Sequence, residues 1–291
     1  MEKIKKTTNK RTGLVMEGGA MRGMFTCGVI DVFMENGIEF DGAIGVSAGA
    51  VFGCNYKSHQ IGRGIRYNKK YCKDERMGSM KSFLKTGDIY DVEFAYHELP
   101  YVLDPFDTET FQANPMDFWI VATNVETGKA EYHLCTNGGE EDLEWFRASA
   151  SIPILSRVVE IGDLKLVDGG TADSVPIRFM MDQGYKKIVT ILTQPEGFVK
   201  KKSKVIPIAR IMLRKYPKVI RLLENRHKRY NKLYAFIDKC NEKGKTLVIR
   251  PSEPLGVGSM ENDPEQLERV YQIGRKVATE RLEDVKNYLN S

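Results

Sequence analysis

One serine stands in a pattern that favours nucleophilic chemistry, Gly45-Val-Ser-Ala-Gly49. A serine held on a sharp turn between a strand and a helix exposes its hydroxyl, and the helix N-terminus behind it favours developing negative charge. Glycines two positions before and after it, Gly45 and Gly49, keep the neighbouring backbone from clashing at such a turn. The pattern therefore predicts Ser47 as the nucleophile of a serine hydrolase. The alternative is a structural serine in a glycine-rich turn, because short patterns also arise by chance.

A glycine-rich loop, Gly18-Gly-Ala-Met-Arg-Gly23, lies upstream of that serine and follows a short apolar run. In such a loop several backbone N–H groups can point at one spot, which beside Ser47 would form an oxyanion hole. The same geometry can bind phosphate at a helix N-terminus, and a plain tight turn is the third interpretation. The loop matches neither the phosphate loop of nucleoside triphosphatases nor the dinucleotide-binding G-x-G-x-x-G pattern, which argues against both classes.

A serine nucleophile needs a neighbouring base, and histidine is the usual one. The chain has four histidines, His59, His97, His133 and His227. Only His227 comes late in the chain, as the catalytic histidine of α/β-hydrolases does, but it lies in a basic run that favours a solvated side chain. Asp168, in Leu166-Val-Asp-Gly-Gly170, would present a carboxylate at a loop edge and can act as base if it hydrogen-bonds to the serine. Both candidates stay open here, and a simple Asp-Gly turn is the plainer interpretation of Asp168.

The elements around these motifs alternate between strands and helices. Strands are predicted at 13–16, 40–46, 118–125, 130–134, 158–161, 165–167, 187–192 and 245–249. Helices are predicted at 24–34, 49–57, 77–83, 89–99, 140–150, 175–182 and 264–289. Because a β-α-β-α opening requires crossover connections, we expect an α/β fold with a mainly parallel central sheet. We expect one domain over 1–291, with a core at about 12–197 and 244–255, a helical basic insert at about 198–240 and a C-terminal helix at about 264–289.

The composition is that of an ordinary globular protein. Of the 291 residues, 42% are hydrophobic and 29% are charged, so the chain can bury a sizeable core without disulfides or metals. The five cysteines are odd in number and widely spaced, which argues against a disulfide framework or a zinc site and favours a reducing compartment. The basic segment 1–13 is followed by no apolar stretch of the kind a signal peptide needs, so we expect a cytoplasmic protein.

Positive charge is concentrated between Lys200 and Lys232. This segment has thirteen Lys and Arg residues against one acid, Glu224, so its net charge is +12. Because the whole chain has a net charge of +5, the rest of the chain carries −7. Apolar residues alternate with the basic ones, and Pro207 and Pro217 are expected to divide the segment into short helices. Basic amphipathic helices favour anionic membrane surfaces. Nucleic acid is the competing partner for such charge, but the segment has no recognisable nucleic-acid-binding module, so we do not expect the protein to bind nucleic acid. The other interpretation is a charged helix face that simply contacts solvent.

Taken together, the glycine loop, the G-x-S-x-G pattern and the D-G-G pattern resemble those of the patatin-like phospholipases, particularly the bacterial branch. The resemblance is strongest over 14–57 and 147–176. It implies a three-layer α/β/α fold and a Ser47–Asp168 catalytic dyad, which would explain the lack of a suitable histidine. It also implies an oxyanion loop made of Gly18, Gly19, Ala20, Arg22 and Gly23. The family often has a third glycine where this chain has Ala20, so the resemblance requires an alanine to take glycine-like backbone angles.

The resemblance further implies an acyl hydrolase that cleaves carboxylic ester bonds of lipids, like a phospholipase A or a lysophospholipase, through an acyl-enzyme intermediate. No cofactor and no metal is expected. The expected partners are an acyl lipid substrate and, through 200–232, an anionic membrane surface, which would place a cytoplasmic enzyme at the membrane periphery. The alternative is a non-catalytic lipid- or anion-binding protein that keeps the turn around Ser47.

Overall fold

One eight-stranded sheet runs through the computed structural model, which describes residues 11–291; residues 1–10, most of the basic start considered above, lie outside the described residues. The strands are β1 (Thr12–Met16), β2 (Gly42–Val46), β3 (Asp117–Asn124), β4 (Ala130–Leu134), β5 (Val159–Ile161), β6 (Leu164–Asp168), β7 (Lys187–Ile191) and β8 (Thr246–Ile249). Their order is β5-β6-β3-β2-β1-β7-β8, and β4 also pairs with β3. The pairs β3-β2, β2-β1, β1-β7 and β7-β8 are all parallel, which confirms the expected mainly parallel sheet. The pairs that β3 makes with β4 and β6, and the pair β5-β6, are antiparallel.

Helices occupy most of the connections between these strands. They are α1 (Gly23–Glu35), α2 (Ala48–Lys57), α3 (Arg63–Tyr71), α4 (Met80–Thr86), α5 (Thr108–Ala113), α6 (Glu140–Ala150), α7 (Ile177–Asp182), α8 (Ile206–Met212), α9 (Pro217–Glu242), α10 (Pro264–Glu280) and α11 (Leu282–Asn290). Short 3₁₀ turns at Ala20–Arg22 and Gly169–Thr171 and a π-helical segment, Phe94–Leu103, complete the list. Within residues 11–291, no helix combines the length and the apolar character needed to cross a membrane.

The sheet is covered on both faces because successive strand residues point to opposite sides. Leu14 and Met16 of β1 pack into one apolar cluster with residues of α1, α2, α6 and α10. Val15, between them, packs into a second cluster with residues of α7 and α9. Two apolar clusters on opposite faces make the three-layer α/β/α arrangement that the sequence predicted.

Most of the predicted elements are present, but two predictions about helices are wrong and a third is only partly confirmed. The expected terminal helix over 264–289 is two helices, α10 and α11, separated at Arg281. The helix expected over 89–99 is the π-helical segment, which begins only at Phe94. Pro207 and Pro217 mark the starts of two separate helices in the basic insert, α8 and α9, but only α8, with 7 residues, is short. Both lie in the first turn of a helix, where a missing N–H costs no helical hydrogen bond, so α9 continues unbroken for 26 residues.

Candidate active site

The pairing of strand β3 brings the ends of β2 and β6 together. β2 pairs with the first part of β3 and ends with Val46 opposite Val121. β6 pairs with the last three residues of β3 and ends with Asp168 opposite Ala122. Because Val121 and Ala122 are consecutive, Ser47, which follows Val46, meets Asp168 at this point. The sheet register thus joins two side chains that lie far apart in the sequence.

Ser47 occupies a strained turn between β2 and α2. Its φ of 53° and ψ of −122° are angles that residues with a side chain rarely take. A Cβ at Gly45 would lie 2.5 Å from the Cα of Ala50, and a Cβ at Gly49 would lie 2.7 Å from the carbonyl oxygen of Glu17. Contacts this short would force the backbone apart, so the turn needs glycine at both positions.

The hydroxyl of Ser47 lies close enough to the buried carboxylate of Asp168 to lower the pKa of that carboxyl. The backbone N–H of Gly170 donates to Asp168 Oδ1, at 2.7 Å. Burial raises the pKa of Asp168, and the Arg226 guanidinium, the Ser47 hydroxyl and the Gly170 N–H oppose that rise. A carboxylate with a raised pKa accepts a proton more readily once ionised, which suits it to deprotonate a serine during attack. The pair has the geometry of a nucleophile and its base.

Ser149, on helix α6, supports the turn at Ser47 through two hydrogen bonds. Its hydroxyl accepts a hydrogen bond from the Ser47 backbone N–H at 2.9 Å and donates to the carbonyl oxygen of Val121 at 2.6 Å. These bonds link the Ser47 backbone to β3, the strand with which Asp168 of β6 pairs. Because the Ser47 N–H is committed to Ser149, an oxyanion formed at this serine must be held by other donors.

The glycine loop lies directly against the serine. A Cβ at Gly18 would sit 3.0 Å from the Cβ of Ser47, so only glycine permits this approach. No protein acceptor within the described residues takes a hydrogen bond from the backbone N–H of Gly18 or Gly19. Ala20 has a φ of 49°, so the alanine does take the left-handed backbone angles that glycine usually supplies. The N–H groups of Gly18 and Gly19 are therefore free to hold an oxyanion.

Of the other two members of the predicted oxyanion loop, Arg22 lies near Ser47 and Gly23 does not. Arg22 borders a polar cavity next to Ser47, and its Nε is buried without a hydrogen-bond partner. Gly23 begins α1, and a Cβ there would collide with Phe52 and approach Ala48 of α2. It borders neither of the two cavities that meet at Ser47. Gly23 thus serves the packing of α1 on α2, and the fold does not bring it to the serine.

Glu17 is a central residue whose contacts the sequence did not reveal. Its buried carboxylate accepts hydrogen bonds from the Thr193 backbone N–H at 2.6 Å, the Thr193 hydroxyl at 3.1 Å and the Tyr234 hydroxyl at 2.7 Å. The Tyr230 hydroxyl donates to its other oxygen. Burial, followed by the Glu17 charge, raises the pKa of both tyrosines, so they stay protonated donors. Glu17 therefore ties the glycine loop to the end of β7 and to α9. The one-turn spacing of the two tyrosines was the available signal, and it does not identify their partner.

The histidines, all four within the described residues, make no hydrogen bond to Ser47 or Asp168. His227 projects from α9 into the same polar cavity, and its Nδ1 is buried without a partner. His133 instead lies 2.7 Å from a carboxylate oxygen of Asp142. Of the two candidate bases that the sequence left open, the geometry favours Asp168.

His133, Cys135 and Asp142 form the one group of potential metal ligands found in residues 11–291. Asp142 Oδ1 faces the His133 ring, and Asp142 Oδ2 accepts backbone N–H bonds of 2.8 to 3.0 Å from residues 136–138. Both carboxylate oxygens are therefore engaged at the start of α6. We interpret this cluster as a structural hydrogen-bond network away from Ser47.

Ser47 separates two cavities of opposite character. The first is apolar, and its walls include Met21, Val51, Phe52, Leu99, Phe106, Leu143, Phe146 and Ile152. The second has a volume of about 420 Å³ and is bordered by the glycine loop, Asp168 and four cations, Arg22, Lys200, Lys201 and Arg226. An elongated amphipathic molecule can therefore lie across the site with its polar and apolar ends in different cavities.

Comparison with known proteins identifies relatives of this chain. The family model for patatin-like phospholipase matches residues 14–181, and a model described as a domain of unknown function (DUF6363) matches 216–290. The uncharacterized protein YjjU of Escherichia coli (strain K12) is 26% identical over 277 residues, which are 91% of this chain and 75% of that protein. Lysophospholipase NTE1 of Debaryomyces hansenii is 29% identical over 195 residues, which are 63% of this chain but only 12% of that much longer protein. Among solved structures, VipD from Legionella pneumophila is 14% identical with a TM-score of 0.49, over 97% of this chain and 70% of that one.

Proposed function

Because the chain belongs to the patatin-like phospholipase family, we propose that it hydrolyses carboxylic esters of acyl lipids with Ser47 as nucleophile and Asp168 as base. Family membership and the likeness to lysophospholipases support lipid ester hydrolysis. The observation that carries the residue assignment is the placement of Ser47 beside the buried Asp168, at the point where an apolar and a polar cavity meet.

In the first step the Ser47 oxygen attacks the acyl carbonyl carbon, and its proton passes to the Asp168 carboxylate. The carbonyl oxygen becomes an oxyanion, which the backbone N–H groups of Gly18 and Gly19, unbonded within the described residues, would hold. The ester C–O bond then breaks, and the departing alcohol takes the proton from Asp168. The acyl group remains on Ser47 as an ester.

In the second step a water molecule attacks the acyl group, as Ser47 did in the first step. Asp168 takes a proton from the water as it attacks the acyl-serine, and the same N–H groups hold the second oxyanion. Collapse of that intermediate returns the proton to Ser47 Oγ and releases the fatty acid. The partly enclosed site, in which Ser47 is 8% exposed, limits the access of bulk water to this intermediate.

The apolar cavity suits the acyl chain because aromatic and aliphatic side chains form most of its walls. The polar cavity suits the alcohol part of the ester, since its lining is charged and hydrogen-bonding. The substrate would thus lie with its carbonyl between Ser47 and the glycine loop, its chain on one side and its head group on the other.

A surface near the mouth of the polar cavity fits docking on an anionic membrane. We define this docking surface by the exposed apolar residues Val205, Ile208, Ile211 and Met212 together with the exposed basic residues Lys201, Lys202, Lys204, Arg214 and Lys215. Lys201 and Val205 border the polar cavity itself. Exposed apolar side chains surrounded by cations bind anionic interfaces through both burial and charge, which would deliver a lipid directly to Ser47.

Labelling with a fluorophosphonate probe, followed by hydrolysis of p-nitrophenyl esters of increasing chain length, tests the proposal. The wild-type protein should label at Ser47, while Ser47→Ala should neither label nor turn over. Asp168→Asn should lose at least about a hundredfold in kcat/KM, which is the usual contribution of a general base. His227→Ala is the matched control and should keep its activity. A folded protein that neither labels nor hydrolyses any ester would instead be the non-catalytic binding protein.

A further inference from the structure

The polar cavity holds an excess of positive charge that the protein itself does not neutralise. Arg226 donates from Nε to the carbonyl oxygen of Gly170 at 3.2 Å, and Lys200 Nζ lies 4.5 Å from the centroid of the Tyr230 ring. The Nε of Arg22 is buried and has no partner. Within residues 11–291, none of these three cations forms an ion pair with a carboxylate.

The two carboxylates that border the cavity are already engaged. Glu17 accepts hydrogen bonds from Thr193, Tyr230 and Tyr234. Asp168 accepts from the Gly170 N–H and lies beside the Ser47 hydroxyl. Neither carboxylate is therefore available to a positively charged group of a ligand.

Lys200 shows that the cations lie close enough to repel one another. Burial, with Arg226 and Arg22, lowers its pKa to about 8, and the Glu17 charge offsets this only in part. Its backbone is fixed by a pair of hydrogen bonds with Asn231 of α9, of 2.8 and 3.1 Å. Such a pre-assembled group of like charges is stabilised when an anion binds among them.

We propose that Arg22, Lys200 and Arg226 form a binding site for a terminal phosphate, so that the protein prefers acyl esters of glycerol phosphate to the same esters carrying a choline. This inference rests on the proposed function, since it names the head group of the lipid ester that Ser47 attacks. A phosphate monoester brings up to two negative charges and three acceptor oxygens to the cations. A choline substituent would place a quaternary ammonium among cations with no free carboxylate to receive it. Two of the three residues come from the basic insert, which makes the insert a determinant of specificity.

The test uses monomeric substrates, so that charge at a lipid surface plays no part. The kcat/KM of the full-length protein is measured on hexanoyl-glycerol phosphate, hexanoyl-glycerophosphocholine and monohexanoylglycerol, all below their critical micelle concentrations. The phosphate ester should be favoured over the choline ester by about tenfold or more, as expected for charge-assisted hydrogen bonds. Lys200→Gln and Arg226→Gln should each lower this ratio, and the double variant should bring it within about threefold of one. Lys228→Gln, an exposed change on the same helix, is the control and should keep the wild-type ratio.

Two further measurements separate the possible sources of phosphate. Inorganic phosphate should inhibit hydrolysis of monohexanoylglycerol competitively, whereas sodium chloride of equal ionic strength should not. The inhibition should weaken above pH 8 as Lys200, which faces Arg22, Arg226, Glu17 and Tyr230, loses its proton. Inhibition by inorganic phosphate with no preference among the esters would overturn the head-group assignment. Hydrolysis of all three esters at similar rates, without phosphate inhibition, would overturn the site while leaving the proposed function intact; failure to hydrolyse any of them would instead count against the proposed function.

Discussion

Arg226→Gln should move the acid limb of the pH–rate profile to higher pH. Asp168 must be ionised to accept the Ser47 proton, and Arg226 is the nearby cation that lowers the pKa of that carboxyl against the effect of burial. Removing the positive charge leaves the burial effect opposed only by the Ser47 hydroxyl and the Gly170 N–H. The carboxyl pKa therefore rises, and a higher pH is needed to ionise the same fraction of the base.

The size of this shift follows from the geometry around Gly170. A Cβ at that residue would lie 3.0 Å from Asp168 Oδ1 and 3.3 Å from an Arg226 guanidinium nitrogen, so the two charges are at most about 6.3 Å apart. Coulomb's law at that separation gives about 1.3 kcal/mol for an effective dielectric constant of about 40 and about 2.6 kcal/mol for a value of about 20. The expected shift is therefore about one to two pH units. The higher dielectric value is the better choice because Arg226 is only partly buried, so we expect a shift near one unit.

The assay is kcat/KM on a soluble short-chain p-nitrophenyl ester, which carries no phosphate, measured from about pH 4 to pH 8 at fixed ionic strength. At pH values below the acid limb of the wild-type profile, kcat/KM of the variant should be about tenfold lower, since a one-unit rise in the pKa means about tenfold less ionised base. On the plateau at higher pH, the kcat/KM values of the two proteins should converge. Arg226→Lys should shift the limb less, and Lys228→Gln should not shift it. An unchanged limb in Arg226→Gln would refute the reasoning, because it would mean that the rate does not depend on a base that this charge influences.

Three further predictions follow from the geometry of the site and of the docking surface. Ser47→Gly should raise the free energy of unfolding above that of Ser47→Ala by about 1 kcal/mol in urea titrations, because glycine tolerates the φ of 53°; equal stabilities would contradict the strain. Gly49→Ala should cost about 2 to 3 kcal/mol, since its Cβ would lie 2.7 Å from a backbone oxygen, whereas Gly258→Ala, with open space around it, should change stability by less than about 0.5 kcal/mol. Ile211→Glu, at a side chain that is 74% exposed on the docking surface, should weaken sedimentation with phosphatidylglycerol vesicles without slowing soluble-ester hydrolysis. The same loss in Ile61→Glu, outside that surface, would argue against a specific docking face.

The part of this site that could be predicted from the sequence is the part that local backbone chemistry dictates. Gly45 and Gly49 are required because the backbone passes within contact distance on both sides of Ser47, and the glycine loop is required because it lies against the same serine. Such demands leave a short, readable pattern. Asp168 is less local, since it reaches Ser47 only through the register of two strands on β3; the sequence alone left it beside His227 as a candidate base.

The contributions of the basic insert could not be predicted in the same way. Arg226 and the pair Tyr230 and Tyr234 lie in a charge-rich amphipathic helix, and that pattern is the same whether its polar side meets water or a cavity. Their partners, Glu17 and Gly170, are distant in sequence and carry no signal of the contact. Two prolines also suggested a series of short helices, whereas the helix that begins at Pro217 is 26 residues, or about 39 Å, long.

The contacts of α9 indicate that the insert completes the site. Tyr230 and Tyr234 supply two of the hydrogen bonds that hold Glu17, and Glu17 precedes the glycine loop that lies against Ser47. From the same helix, Arg226 reaches the turn after Asp168 through the carbonyl oxygen of Gly170. One rigid helix is therefore bonded to the loop on one side of the nucleophile and to the turn on the other. A displacement of α9 would alter the oxyanion donors and the charge beside the base together, so the position of this helix, next to the docking surface, would set both the reactivity of Ser47 and the head group it meets.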